Sequence, residues 1–351
     1  MSSITKATLK NAIGQFKTGK VLVLGDVAID EMVNGHTDRL SREAPVLILR
    51  HDETRIILGA AGNAAHNIAT LGAKQASIIG VAGKDYHCSL LLDALQRDGV
   101  DASGLVQDEN RPTTTKSRIS GIANHSVTQQ IVRVDRESRV PVTGKTETAL
   151  LDQISKQLPG FDVVLLSDYG LGVLTPGIIE HAQKLAKKHG VKVVVDSQQD
   201  LRLFQEAVVI TPNQPEAEHN VGYALDTHEK LLSAGKELLG KTRAQNILIT
   251  RGASGMSLFE NTGAVTHVPV FNKSDVFDVT GAGDTVVGTI SLAIATGTPM
   301  PEATVLGNLA ASIVVKRFGA AVTNIPEIQS AIESLNEKLL AGIETRKEIS
   351  V

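Results

Sequence analysis

The stretch FDVTGAGDTVVG, residues 277–288, decides the fold, because it places three small residues directly before an acid at the start of a predicted helix. A helix N-terminus carries unpaired backbone N–H groups and a partial positive charge, so it attracts anions. The small residues Gly281, Ala282 and Gly283 let a ligand approach that backbone closely. The stretch therefore predicts a site for a phosphate that gains charge during transfer, with Asp284 beside it as a general base.

An alternative interpretation is structural. Aspartate is a preferred N-cap residue, so Asp284 could do no more than cap the helix that follows it. The glycine-rich turn alone does not decide between these two interpretations, and the rest of the chain has to.

Composition narrows the class of protein. The chain has 351 residues, of which 42% are hydrophobic and 21% charged, as in a globular protein with one large or two ordinary domains. A net charge of −3, 3% aromatic residues and no tryptophan argue against a nucleic-acid partner. The single cysteine, Cys88, cannot form an internal disulfide. We also find no signal peptide and no membrane-spanning stretch, so we expect a cytoplasmic protein without membrane contact.

Strand and helix patterns alternate along the chain. Apolar runs such as KVLVLGD (20–26), DVVLLSD (162–168) and VKVVVDS (191–197) read as buried strands separated by helices. This alternation predicts an α/β fold with a mainly parallel sheet covered on both faces.

Two segments break the alternation. Residues 31–58 and 112–136 show the half-buried pattern of an antiparallel sheet, and they predict a small β lid inserted in one large domain over residues 18–340. An unpaired lid face or edge is usually covered, so we expect a homodimer joined through the lids. We expect the tail, residues 341–351, to be loosely held.

Several motifs in order carry a resemblance to a known family. They are GDVAID (25–30), GAAGNAAHNIATLGA (59–73), TPNQPEAE (211–218), TRGASG (250–255) and DVTGAGDT (278–285). From about residue 20 to 330 the chain resembles the ribokinase-like (PfkB) carbohydrate kinases, which implies a three-layer sandwich. Within them it is most similar to the heptose-7-phosphate kinases, on SREAPV (41–46), TTTKSR (113–118), QQIVRVD (129–135) and SDYGLGVL (167–174). No HxGH motif occurs, so we expect no nucleotidyltransferase domain.

The resemblance implies roles at the matching positions. Asp284 becomes the catalytic base, and the N–H groups of Gly281, Ala282 and Gly283 form the anion hole. The ATP side is implied to comprise Asn213, Glu216, Thr250, Gly252, Gly255 and Asn308, with Glu216 holding Mg²⁺ through water. The sugar side is implied to comprise Asp26, Asp30, Arg39, Gly59, Asn63, Lys116 and Arg118, with Arg133 as a further lid contact. Asp278 and Thr280 match positions that hold a monovalent cation such as K⁺ in many members.

Each role has an ordinary alternative. Glu216 alone would be a first-turn helix charge, the acids of GDVAID could cap a turn, and the glycines of TRGASG predict only a turn. The lid cations could simply be solvated. The family's GGAAN is GAAGN here, so Ala60 replaces its second glycine.

A second phosphate-binding pattern is a chance match. GKELLGKT, residues 235–242, has the spacing of a P-loop. A P-loop follows a strand and opens a helix, whereas this segment lies in a helical pattern and precedes a strand.

The leading hypothesis is an Mg-ATP-dependent sugar or sugar-phosphate kinase. The alternatives are a nucleoside or other small-alcohol kinase and a non-catalytic sugar-phosphate sensor on the same fold. The heptose kinases usually carry lysines where this chain has Leu171 and Gln198, while Arg42 stands at a proline position. We therefore expect an acceptor that differs from heptose 7-phosphate, with compensation by Arg42 as the alternative.

Overall fold

The computed structural model describes residues 4–122, 128–271, 276 and 278–349. Its strands are β1 (Lys20–Gly25), β2 (Val27–Leu40), β3 (Leu47–Ala60), β4 (Gln75–Gly83), β5 (Asp101–Asp108), β6 (Thr115–Ile122), β7 (Gln129–Arg136), β8 (Val163–Asp168), β9 (Lys192–Ser197), β10 (Val209–Ile210), β11 (Asn246–Thr250), β12 (Met256–Glu260), β13 (Ala264–Val268) and β14 (Thr345–Lys347). Its helices are α1 (Lys6–Gln15), α2 (Ala61–Thr70), α3 (Tyr86–Arg97), α4 (Gly144–Gln157), α5 (Pro176–His189), α6 (Gln214–Val221), α7 (His228–Thr242), α8 (Ala282–Ala295), α9 (Met300–Val314), α10 (Ile325–Ser334) and α11 (Glu337–Ala341).

The large sheet has the order β14-β13-β12-β11-β10-β9-β8-β1-β4-β5. Pairing is parallel from β5 to β11 and antiparallel from β11 to β14. The prediction of an α/β fold with a mainly parallel sheet is confirmed.

The strand sequences explain why helices cover both faces of this sheet. Successive side chains of a strand point to opposite faces. In β1, Val21 and Val23 join one hydrophobic cluster while Leu22 and Leu24 join the other. An unbroken apolar run therefore needs a packed layer on each side, which the helices supply.

The lid is a four-stranded sheet with the order β3-β2-β6-β7. Its outer pairs are antiparallel and its central pair, β2 with β6, is parallel. The predicted small antiparallel lid is confirmed as a second sheet, except that its central pair is parallel and β2 begins four residues earlier than predicted, at Val27. Residues 123–127 of the predicted lid lie outside the described residues.

The C-terminal tail is not loosely held over residues 345–349, and that expectation was wrong. Strand β14 pairs with β13 at the edge of the large sheet, and Ile349 is only 7% exposed within an apolar cluster. Pairing with the edge strand β13 supplies hydrogen-bond partners for the backbone N–H and C=O groups of this short segment. This is a tertiary effect, so the polar sequence of the segment did not predict it.

Within the described ranges, the helices are too short or too polar to cross a bilayer.

A surface cleft of about 680 Å³ lined by Lys187, Lys192, Glu206 and Arg243 lies at the amino edge of the parallel strands. The predicted site residues lie at the opposite, carboxyl edge.

Candidate active site

Polar side chains gather where the parallel strands end. Asp26 follows β1, Asp168 ends β8, Asp196 lies near the end of β9, Asn213 follows β10 and Thr250 ends β11. In open parallel sheets, ligands bind outside this carboxyl edge. The start of α8 belongs to the same site, because Asp284 in its first turn interacts electrostatically with Asp196.

Helix α8 begins with the predicted turn. Gly281 is its N-cap residue with a φ of 75°, and a Cβ there would lie 2.7 Å from Asn63 Nδ2. Among the described residues, a Cβ on Gly283 would meet nothing within 4 Å, so this part of the turn faces away from them. The N–H of Ala282 already donates to the carbonyl of Val279 at 3.2 Å. A ligand anion would therefore be held by the neighbouring N–H groups more readily than by that of Ala282.

Asp284 does not cap the helix. It lies at the third helical position, and its carboxylate accepts hydrogen bonds from other elements. Asn63 Nδ2 donates to Oδ2 at 2.7 Å, and the Tyr169 hydroxyl donates to Oδ1 at 2.5 Å. Asn63 is itself held by Asn67, whose Nδ2 donates to the Asn63 carbonyl at 2.9 Å. The capping interpretation therefore fails, and the carboxylate is oriented from two sides.

Burial changes the pKa of the Asp284 carboxyl group. Asp284 is 6% exposed, and burial raises its pKa to about 6, against hydrogen bonds from Tyr169 and Asn63 and the charge of Lys116 that lower it. A group with this pKa is largely ionised at neutral pH and can still take a proton during a reaction.

Tyr169 is a site residue that sequence reasoning missed. Its backbone N–H donates to Asp26, its hydroxyl donates to Asp284, and Lys116 Nζ lies 5.7 Å from its ring centroid. Burial, followed by the charge of Asp284, raises the pKa of Tyr169 well above its usual value, so the hydroxyl stays a donor. Its position in SDYGLG, directly after a buried strand, was the available signal.

The sugar-side residues Asp30, Gly59, Lys116 and Arg118 come together beside Asp284. Asp30 is 7% exposed, pairs with Lys116 across β2 and β6, and has Oδ1 at 3.4 Å from Arg118 Nε. Burial raises the pKa of Asp30 although both cations oppose the shift. Among the described residues, no donor reaches Asp30 Oδ1 with hydrogen-bond geometry. Oδ1 thus has an ion-pair partner in Arg118 but no hydrogen bond of good geometry, and such a buried acceptor suits a ligand hydroxyl.

Three other predicted sugar-side residues are placed differently. The Asp26 carboxylate accepts the backbone N–H groups of Tyr169, Leu171 and Val173, so it anchors the loop that carries Tyr169. Arg39 lies nine residues beyond Asp30 on β2, about 30 Å along an extended strand. Arg133 is exposed and pairs with Asp135, but it also acts electrostatically on Asp30 and lies opposite Arg118 on the neighbouring strand. Within one chain, the placements of Asp26 and Arg39 do not support direct contact with the sugar, whereas Arg133 lies near the sugar side.

Carboxylates define the metal side. Asn213 and Glu216 form a capping box at the start of α6, in which Asn213 N–H donates to Glu216 Oε2 at 2.8 Å. Burial raises the pKa of Glu216. Burial, then repulsion from Asp284 and Glu216, raises the pKa of Asp196 to about 8. Sequence reasoning gave Asp196 no role, although it lies one residue before the end of β9, much as Asp168 ends β8. Mutually repelling, partly buried carboxylates fit Mg²⁺, a hard cation with oxygen ligands.

The nucleotide-side residues surround the turn after β11. Thr250 and Asn213 form an isolated parallel β-bridge through their backbones. This pairing joins the turn to the metal side of the site. Gly255 has a φ of 80°, and a Cβ there would lie 2.1 Å from the Val268 carbonyl, so only glycine fits. Gly252 also has a positive φ, with open space beside it. Asn308 Nδ2 donates to the Pro269 carbonyl at 3.1 Å, which fixes the chain after β13.

The predicted cation residues Asp278 and Thr280 lie just before α8. Asp278 Oδ1 accepts the Thr280 N–H and Oδ2 accepts the Gly319 N–H, both at 2.9 Å. Its carboxylate thus connects the loop before α8 with the loop after α9. A monovalent cation here would have to use other oxygens as well.

The substitution at Ala60 leaves backbone strain. Ala60 has a φ of 51° and a ψ of −134°, a region that favours glycine. We expect Ala60→Gly to stabilise the fold by about 1 kcal/mol, because strain relief of about 1–3 kcal/mol exceeds the entropic cost of glycine, about 0.4–1 kcal/mol. Urea unfolding measures the change, with Ala73→Gly as a control outside the turn. An unchanged or lower free energy of unfolding would contradict the strain argument.

This fold and this site define a phosphotransferase that acts on sugar hydroxyl groups. The profile of the pfkB family carbohydrate kinases matches residues 18–328. The chain belongs to the pfkB family of carbohydrate kinases. Membership implies the use of ATP and a divalent metal.

Relatives and solved structures agree with this assignment. The bifunctional protein HldE of Trichlorobacter lovleyi is 38% identical over 334 residues, 95% of this chain and 67% of that protein. The HldE of Pelobacter propionicus is 36% identical over 347 residues, 99% of this chain and 70% of that protein. The chain thus spans about two thirds of the length of these relatives.

Two solved structures share the fold. The ribokinase of Arabidopsis thaliana, complexed with ribose and ATP, aligns with a TM-score of 0.67 and 21% identity, covering 92% of this chain and 99% of that one. Phosphofructokinase-2 from Escherichia coli, in complex with potassium, aligns with a TM-score of 0.72 and 18% identity, covering 90% of this chain and 99% of that one. The prediction of a ribokinase-like fold is confirmed.

Proposed function

We propose that this protein transfers the γ-phosphoryl group of ATP to a hydroxyl of a heptose or a closely related sugar, with Asp284 as the general base. The carrying observation is the position of Asp284: buried, oriented by Asn63 and Tyr169, and placed in the first turn of α8. The acceptor class rests on the resemblance to the heptose-7-phosphate kinases and on the relatives named HldE.

Three groups in the site have separate roles in the proposed reaction. Asp30, whose Oδ1 accepts no hydrogen bond of good geometry from the described residues, accepts one from a sugar hydroxyl. Asp284 uses a free lone pair to take the proton of the acceptor hydroxyl. At the same time the oxygen of that hydroxyl forms a bond to the γ-phosphorus, and the bond between the γ-phosphorus and the bridging β-phosphate oxygen breaks. The N–H groups at the start of α8 stabilise the charge on the transferred group.

The metal side of the site completes this proposal. We propose that Asp196 and Glu216 hold Mg²⁺, through water at Glu216, because their charges repel and Glu216 keeps one oxygen outside its capping box. When bound, the ion neutralises phosphate charge during transfer. Asp278 and Thr280 remain proposed contacts of a monovalent cation.

An ADP-release assay over a panel of sugars, sugar phosphates and nucleosides tests the function. The proposal expects turnover with a heptose or hexose and none with nucleosides. Turnover with nucleosides alone would support the small-alcohol kinase alternative. Binding of a sugar without any ADP release would support the sensor alternative.

We further propose that the lids join two copies of the chain. The lid exposes large apolar side chains, and β7 is an unpaired edge. Proteins usually cover such surfaces. The exposed residues are Leu40, Val46, Leu47, Ile131, Val132 and Val134.

The expected solution mass is therefore twice the 37.2 kDa of one chain at micromolar concentration. The double variant Val132→Asp and Val134→Asp should weaken dimerisation at least about 10²-fold, because it places charges in an apolar contact. Light scattering coupled to size exclusion measures both states. Leu203→Asp, which alters an exposed leucine outside the lid, is the matched control. A monomeric wild-type protein would contradict the lid dimer.

A further inference from the structure

A second cluster of ligand-type side chains lies at the antiparallel edge of the large sheet. His228 is the first residue of α7, His267 lies on β13 and Glu348 follows β14. His228 Nε2 is 3.3 Å from Glu348 Oε2, and His267 Nε2 is 4.0 Å from the same oxygen. One ligand atom from each residue lies within 4.8 Å of the other two. None of these residues belongs to the kinase site.

His267 is oriented by a neighbour. Its Nδ1 lies 2.9 Å from Ser257 Oγ, and Arg251 donates to the same oxygen at 3.4 Å. This contact leaves Nε2 facing Glu348, and that buried nitrogen has no hydrogen-bond partner among the described residues. Histidine ligands of metals are commonly fixed in this way through their second ring nitrogen.

Geometry explains why a cation suits this position. The buried Nε2 of His267 lies 4.0 Å from Glu348 Oε2, too far for a hydrogen bond, and His228 Nε2 lies 3.3 Å from the same oxygen. The ring centroids of His228 and His267 are 5.3 Å apart, so both imidazoles lie next to one carboxylate. Arg251 and Arg346 add positive charge near His267.

We propose that His228, His267 and Glu348 bind a divalent transition-metal ion, with zinc as the expected occupant and a water as fourth ligand. Two nitrogens and one carboxylate oxygen are ligands that zinc prefers. Zinc ligands at about 2.0–2.2 Å from the ion lie about 3.3–3.6 Å from one another in a tetrahedron. The separations of 3.3 and 4.0 Å approach this geometry, so small side-chain rotations complete it.

The site would fasten the C-terminal segment. Glu348 extends the short edge strand β14, which pairs with β13 through only three residues. A metal shared by α7, β13 and the residue after β14 would oppose opening of this edge. The two nearby arginines reduce the affinity, so we expect a dissociation constant in the micromolar range.

Titration of the tag-free, chelator-treated full chain with zinc, without nucleotide, tests the proposal. Calorimetry should show one ion per chain, and Co²⁺ should give the intense visible bands of a tetrahedral site. His228→Gln and Glu348→Gln should each weaken zinc binding at least about 10²-fold, because each removes one of three protein ligands. His36→Gln, which alters a histidine paired with Asp52 in the lid, is the control and should leave binding unchanged.

Hydrogen exchange gives a second readout. Zinc should slow amide exchange over residues 345–349 in the wild-type chain and in the His36 variant, but not in His228→Gln. His228 is exposed, so its replacement leaves the fold intact. The proposal is overturned if both ligand variants bind zinc as tightly as the wild-type chain, or if 100 μM zinc gives neither heat nor slower exchange.

Discussion

Replacing Asp284 with asparagine should lower kcat at least about 10²-fold, the scale expected when a general base is lost. Asparagine keeps the size of the side chain and removes its ability to take a proton. The backbone N–H groups at the start of α8 are unchanged, so nucleotide affinity should stay within a fewfold of the wild-type value. Steady-state ADP release and nucleotide titration measure the two effects. A variant with near-normal turnover would remove Asp284 from the mechanism.

The lost activity will not result from unfolding. Burial raises the pKa of Asp284 from 3.8 to about 6. A carboxyl group whose pKa is higher in the folded state opposes folding increasingly as the pH rises from about 4 to 6, and fully above that. The shift corresponds to at most about 3 kcal/mol, from which the altered hydrogen bonds with Tyr169 and Asn63 subtract. The two terms are of similar size, so the free energy of unfolding of Asp284→Asn should stay within about 2 kcal/mol of the wild-type value at pH 7.5 in urea unfolding.

The pH dependence follows from the same carboxyl group. The wild-type kcat should fall below a pH of about 6, where Asp284 becomes protonated. The Tyr169 hydroxyl stabilises the ionised form, so Tyr169→Phe should move this acid limb upward by about 1–2 pH units. Tyr223→Phe, which alters a tyrosine bonded to Glu237 instead, should leave the limb in place.

Much of the fold was predictable because buried parallel strands are unbroken apolar runs. The runs of β1, β8 and β9 could be recognised without knowledge of their neighbours. The antiparallel edge was not predicted in full, because β12, β13 and β14 are short and their sequences mix polar and apolar residues. Strand β14 exists because β13 offers an unpaired edge, which is a tertiary property.

The candidate site, like the fold, could be predicted from the sequence only in part. Motif residues such as Asp30 on β2, Asn63 on α2 and Asp284 on α8 come together because each lies in the first turn or first residues of an element that begins at the carboxyl edge of the large sheet. The roles of Tyr169 and Asp196 depend on burial and on neighbours from other elements, so spacing could not reveal them. Arg39 lies away from Asp30 because β2 continues for 14 residues, so its proposed contact with the sugar remains a prediction that a single chain does not support.

Charge at the acceptor end leads to the remaining prediction. Two cations, Lys116 and Arg118, lie beside two carboxylates, Asp30 and Asp284, and the third cation that acts on Asp30, Arg133, is paired with Asp135, so the formal charges cancel. Leu171 is buried and uses its backbone N–H and carbonyl to bind Asp26 and Arg111, so its side chain brings no replacement charge. Arg42 lies twelve residues beyond Asp30, about 40 Å along the lid strand and its turn. Within one chain, Arg42 cannot replace the missing lysines.

We therefore expect the wild-type protein to have a higher kcat/KM for a neutral heptose than for heptose 7-phosphate, because two negative charges enter a site without surplus cations. Gln198 is exposed after β9, so Gln198→Lys can restore one charge without disturbing the core. One charged hydrogen bond of about 1.5–3 kcal/mol should raise kcat/KM for heptose 7-phosphate about 10-fold or more. The value for the neutral heptose should stay unchanged, and Gln198→Met, which adds length without charge, should change neither. A wild-type preference for heptose 7-phosphate that disappears in Arg42→Ala would contradict the altered acceptor, and it would place Arg42 of a second chain at the site.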